Sequence, residues 1–194
     1  MIKTYQAWIH KIEPKACSLY HFEGFDKSYL LNKGIKVKEQ YPENVYFDMH
    51  PDRTKDNLLV DSLFNTDNEL VISKQMMDFF VDKKIKNLEF LPVKIMDHQA
   101  KFIDEEYFIL NILDHQDCLD IDASCAEISI VDDTTIEEVE QIILLDDKAD
   151  HGLDIFRICN FPAATLIGDS LVKEMQNANF TGIDFISLEE FDGM

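Results

Sequence analysis

The sequence predicts an α+β fold (mixed α/β): one globular domain holding two similar strand-helix-strand units around a mixed or antiparallel sheet. Three observations predict it. Apolar periodicity switches repeatedly between two and 3.6 residues. Several strand-like runs follow one another without a helix between them, which argues against a regular doubly wound sheet. And a stretch with strand-helix-strand character occurs twice, 95 residues apart.

The first sixty residues are rich in aromatics and turn signals. "MIKTYQAWIHKI" and "NVYFDM" read as short strands, "NKGIKV" as a turn entering a strand, and "HPDRTKDN" (50–57) as a loop around Pro51. Residues 1–63 are expected to form an N-terminal region packed on an α+β core of residues 64–194.

In that core "ELVIS" (69–73) is a β-type run. "SKQMMDFFVDKK" then places Met76, Met77, Phe80 and Phe79 at helical spacing, with Ser73 as the N-cap. "NLEFLPVKIMD" (87–97) reads as the closing strand. Residues 70–93 lie over residues 165–188 without a gap, so that Ile72 meets Ile167 and Phe90 meets Phe185. The apolar register holds through the other matched positions. In the second copy Gly168 or Asp169 opens the helix, and Gly182 suits the turn before the last strand. Between the copies, "EYFILNIL" (106–113), "AEISIVDD" (126–133) and "QIILLDD" (141–147) read as strands. "TTIEEVEQI" reads as a short helix capped by Thr134 or Thr135.

The formal net charge is -20, and it is unevenly placed. Residues 1–101 balance 15 acidic against 15 basic residues, whereas residues 102–194 hold 23 acidic residues and only Lys148, Arg157 and Lys173. Such a field repels nucleic acid and anionic membranes and attracts a basic partner. No apolar run approaches membrane-spanning length, and the N-terminus has no apolar signal-peptide core. Four scattered cysteines without a CxxC pair read as reduced, hence a cytoplasmic protein.

The stretch "NILDHQDCLDIDASC" (111–125) has the composition of a metal site. An EF-hand loop requires Gly at its sixth position and Glu at its twelfth. From Asp120 these positions hold Cys125 and Val131, and from Asp114 they hold Leu119 and Cys125. His115 and Cys118 are three apart, but no second tight pair completes a zinc pattern. The better reading is a strand leaving through an aspartate-rich turn. There is no GxSxG elbow, P-loop or GxGxxG, and the six histidines stand singly. No cofactor or catalytic residue is therefore assigned. Arg157, in "DIFRICNF", reads as a structural ion-pair partner.

Several pieces in order resemble a known family. They are "NKGIKVKEQYPENVYFDM", "NELVIS", "NLEFLPVKIMD", "EEYFILNILDHQDCLDIDAS", "DIFRI" and "LIGDSLVKEMQNANFTGIDFISLEE". Together they are similar to the immunity protein eleven family of bacterial polymorphic toxin systems, over roughly residues 30–190. The most specific are "YFILN" with "DCLDIDAS", the "IFR" triplet and the terminal "TGIDF". The resemblance implies a non-enzymatic cytoplasmic protein that binds and neutralises a cognate toxin. The charge adds that the toxin is basic and nuclease-like. Asp114, Asp117, Asp120, Asp122, Asp132, Asp133, Glu137 and Glu138 are the candidate contact surface. Two other classes stand beside it: a metal-dependent enzyme with a centre at His115, Cys118 and the neighbouring aspartates, and a general acidic adaptor or nucleic-acid mimic without a toxin.

Overall fold

A computed structural model describes residues 4–191. It is α+β, as the sequence predicts. In chain order the strands and helices are β1 (Tyr5–His10), β2 (Leu19–Glu23), β3 (Tyr46–Met49), β4 (Ser62–Leu63), β5 (Val71–Ser73), α1 (Lys74–Asp82), β6 (Leu88–Met96), β7 (Tyr107–Ile112), β8 (Glu127–Ile128), β9 (Ile136–Glu138), β10 (Ile155–Arg157), β11 (Thr165–Gly168), α2 (Asp169–Asn177) and β12 (Ile183–Ser187). The chain divides into two compact units. One takes Met1–Ile9, Asp114–Ala178 and Asp184–Met194, and is called the acidic unit below. The other, the aromatic unit, takes His10–Leu113 and Asn179–Ile183.

The aromatic unit is built on a six-stranded sheet in the order β2-β3-β6-β7-β5-β4. The sheet is mixed: β3 runs parallel to β6, while β6–β7, β5–β7, β4–β5 and β2–β3 are antiparallel. Alternation in β6 buries Leu91, Val93 and Ile95 while Pro92 and Lys94 face out. The core gathers Leu19, Phe47, Leu63, Val71 and Ile109 around them. Removing such apolar area from water is the main favourable contribution to folding.

α1 begins as the spacing predicts. Ser73 is the N-cap, its Oγ accepting from Met76 N at 3.3 Å, and Met76 and Phe80 are the buried side chains. Ser73 Oγ also donates to Asp61 Oδ1 at 2.7 Å, and Asp61 Oδ2 accepts from Thr181 N and Thr181 Oγ1. Gly182 follows at φ +76, and a Cβ there would stand 2.3 Å from the Ser62 carbonyl oxygen. Close backbone approach and a left-handed φ both demand glycine at this turn.

The acidic unit is built on a four-stranded sheet in the order β10-β11-β1-β12, with β11 antiparallel to both neighbours. Its core includes Ala7, Cys118, Phe156, Phe161, Leu166 and Ile142. The predicted duplication appears as secondary structure. α1 and α2 are both nine residues long and start 95 positions apart, at Lys74 and Asp169. Each copy leaves its helix through a left-handed residue at matched positions, Lys84 (φ 58) and Asn179 (φ 55).

Three local expectations fail. "TTIEEVEQI" is not a helix: Ile136–Glu138 form β9, paired with β8 in a two-stranded ribbon. The Asp132 carboxylate holds the amides of Thr134 and Thr135 in a turn, and Ile136 then alternates inward against outward Glu137. "QIILLDD" forms no named strand and makes a single bridge, Leu119 with Leu144. "NKGIKV" enters no strand either, because a 3-10 turn over Ser28–Lys33 ends at Gly34 in the left-handed region. Met1, Ile2 and Lys3 of the expected first strand lie outside the described residues.

Candidate partner-binding site

The stretch from Asp114 to Glu138 leaves β7 and runs over the acidic unit. Asp114, two residues past the end of β7, turns the chain at φ 44. The chain is then pinned to β10, because Gln116 N donates to Arg157 O at 2.8 Å and Cys159 N donates to Gln116 O at 2.9 Å. A second pair of backbone bonds, Asp120 N to Ile143 O and Leu145 N to Cys118 O, fixes the next few residues. This pinning turns Cys118 and Leu119 inward and leaves Asp117 exposed.

The eight candidate acids divide by what their carboxylates do. Asp120 is half-buried, and its Oδ1 accepts from Ala123 N at 3.1 Å, closing a turn. Asp132 accepts from Thr134 N, Thr135 N and Thr135 Oγ1 at 3.0, 2.8 and 2.6 Å. The Thr135 hydroxyl and these amides hold its carboxyl down at about 2, because hydrogen bonds to the charged form favour that form. Asp114, Asp117, Asp122, Asp133, Glu137 and Glu138 are exposed, with Glu137 and Glu138 on β9. The structure therefore brings Asp132, Asp133, Glu137 and Glu138 onto one ribbon, and places Asp114, Asp117, Asp120 and Asp122 on the segment leading to it.

Arg157 is buried at 2% exposure on β10, where its Nε donates to Thr165 Oγ1 of β11 at 3.2 Å. Among the described residues, no group of three or more His, Cys, Asp or Glu side chains is placed to hold a metal ion. Burial, with help from the Asp117 charge, pushes the Cys118 thiol up to about 11. A thiol held protonated is a poor ligand and a poor nucleophile. No helix among the described residues is long and apolar enough to cross a membrane.

The ribbon tip carries what the sequence reading missed. Ile130 and Val131 are 94% and 89% exposed. "AEISIVDD" reads as a strand, but only Glu127 and Ile128 pair. The adjacent "DDTT" was the available signal, since an Asp that caps two following amides ends a strand.

The short motifs singled out above turn out to hold the framework. Asn111 of "YFILN" donates from Nδ2 to Glu89 Oε2 and to Ile35 O, while Glu89 also accepts from Val37 N and Lys38 N. Ser124 of "DCLDIDAS" is fully buried, and its Oγ accepts from Ile143 N at 3.0 Å. Thr181 and Gly182 of "TGIDF" make the Asp61 contacts and the tight turn. The family model of the Imm11 immunity proteins matches residues 8–190. The chain belongs to this immunity protein family. No curated protein matches it. An Imm11 chain has a toxin-immunity role, and the match spans both units.

Proposed function

We propose that this Imm11 protein works in the cytoplasm as a non-catalytic inhibitor, neutralising one cognate toxin by binding it through the acidic unit. The observation that carries the reading is the family match over residues 8–190, on a chain whose exposed carboxylates crowd one segment. The toxin proposed is basic and nuclease-like, because a nucleic-acid-cleaving cleft is cationic. An acidic inhibitor both reaches such a cleft quickly and denies it to the substrate.

Co-expression with the toxin encoded beside this gene tests the reading. Cells are expected to survive, and the two purified proteins to form a complex at moderate salt. Association should slow steeply as ionic strength rises, because screening shortens the reach of the attraction to about 8 Å at 0.15 M. No protection and no complex would overturn the proposal.

A further inference from the structure

Single exposed apolar side chains are ordinary on protein surfaces. Two adjacent ones at the end of a braced ribbon, with a third beneath them, are a different case. Ile130 and Val131 form such a pair, and Ile128 on β8 is 37% exposed below them. Nothing about folding accounts for their position, since burying them would have been favourable.

The tip is held in one shape. Ser129 N donates to Thr135 O at 2.7 Å, Asp133 N to Ser129 O at 3.1 Å, and Val131 N to Ser129 Oγ at 3.3 Å. Asp132 braces the other side through Thr134 and Thr135. At the base, Ile136 and Val139 enter the core, and Ile136 N donates to Asn160 O at 2.8 Å. A pre-shaped tip loses little conformational entropy when it docks.

The ribbon is also electrostatically unbalanced. Glu127 sits directly opposite Glu138 across the strand pair, and both are exposed. Like charges in that register repel. No lysine or arginine occurs between Lys101 and Lys148 to offset them. A cationic partner surface would relieve this repulsion, and an apolar pocket within it would cover the aliphatic pair.

We propose that the β8–β9 tip is the anchor of toxin binding: Ile130 and Val131 fill an apolar pocket on the toxin, and Glu127, Asp133, Glu137 and Glu138 meet lysine or arginine side chains around its rim. This rests on the toxin-binding reading above and narrows it to one ribbon. The arrangement matches the general anatomy of interfaces, an apolar centre that carries the affinity inside a polar rim. Asp132 has a different part, bracing the tip from within.

The two contributions separate kinetically. The probe is the purified toxin encoded beside this gene, with the full chain immobilised and both rate constants measured. Ile130→Ser with Val131→Ser should raise koff about tenfold or more and leave kon nearly unchanged. Glu127→Gln, Glu137→Gln and Glu138→Gln together should lower kon and flatten its salt dependence. Ile12→Ser, at a side chain 95% exposed in the aromatic unit, should change neither. Urea midpoints of the serine variants should match the parent, since their altered side chains are exposed, and the glutamine variant should not fall below it. A parent complex that survives the double serine change with unaltered koff would overturn the anchor while leaving toxin binding intact. A parent chain that does not bind the toxin at all would overturn both.

Discussion

The two units share a four-stranded plan but assemble it from different parts of the chain. In the aromatic unit the order β4-β5-β7-β6 is read mostly forward, and the strand between β5 and β6 is β7, which follows them. In the acidic unit the order β10-β11-β1-β12 is the same plan, but the strand between β11 and β12 is β1, from the start of the chain. The slot between the two arms is a set of backbone donors and acceptors with apolar flanks, and any strand of matching pattern can satisfy it. What each unit adds outside the plan also differs. The aromatic unit adds β3 and β2, whereas the acidic unit adds residues 114–154, which hold fourteen acidic residues against Lys148 alone. The charge thus belongs chiefly to an addition, and the repeated plan is the platform under it.

The sharpest way to break this comparison is to empty the equivalent core position in each copy. Phe80 in α1 and Met175 in α2 occupy matched positions and are 0% and 2% exposed. Phe80→Ala should cost about 4 kcal/mol and Met175→Ala about 3 kcal/mol, from lost burial and the cavity left behind. Hydrogen exchange should lose protection first in β5, β6 and β7 for the former and first in β11 and β12 for the latter. Equal loss across both sheets in each variant would show one cooperative block, and the division into two units would lose its energetic meaning.

The sequence made the two helices and their following strands legible because their apolar positions repeat with a clear period over more than twenty residues. Ser73 and Gly182 were legible for the same kind of reason, as residues whose local chemistry permits few roles. The plan itself was not legible. Nothing in "YQAWIH" says that β1 lies beside β11, because pairing across more than 150 residues is decided by which strand fits the slot. The candidate site was half legible. Counting aspartates and glutamates found the acidic segment, but not that Asp120 and Asp132 spend their carboxylates on turns. Ile130 and Val131 were invisible to the same reading, because an apolar pair in a strand-like run is normally buried.

A smaller effect distinguishes the units by pH. Burial pushes the His10 imidazole down to about 4, against the opposing pull of a hydrogen bond to the Gly182 carbonyl. The ring packs edge-on to Phe64 with centroids 5.4 Å apart. In the unfolded chain a histidine titrates near 6.5. Between these values the unfolded state binds the extra proton, so the stabilisation is full above about pH 6.5 and is lost as pH falls toward 4. Between pH 7.5 and 5 the aromatic unit should lose about 2 kcal/mol through this group. His10→Phe should flatten that part of the pH profile in urea melts. An unchanged slope would show that the ring titrates in the folded chain as it does in the unfolded one.

The smallest test concerns how the two helices start, where the copies differ most in chemistry. α1 is capped by the Ser73 hydroxyl, a short-range hydrogen bond that salt does not screen. At α2 the N-cap is Gly168, which offers no side chain, and Asp169 stands in the first turn instead. Its carboxylate faces the positive end of the helix and accepts from Thr4 Oγ1 and Gln6 Nε2. Ser73→Ala should therefore cost about 1 kcal/mol at both low and high salt. Asp169→Asn should cost about 0.5 kcal/mol at low salt, and the cost should shrink in 1 M NaCl as the charge–dipole attraction is screened. If the salt dependence instead follows Ser73, the difference in capping is nominal, and the two copies start their helices by the same means.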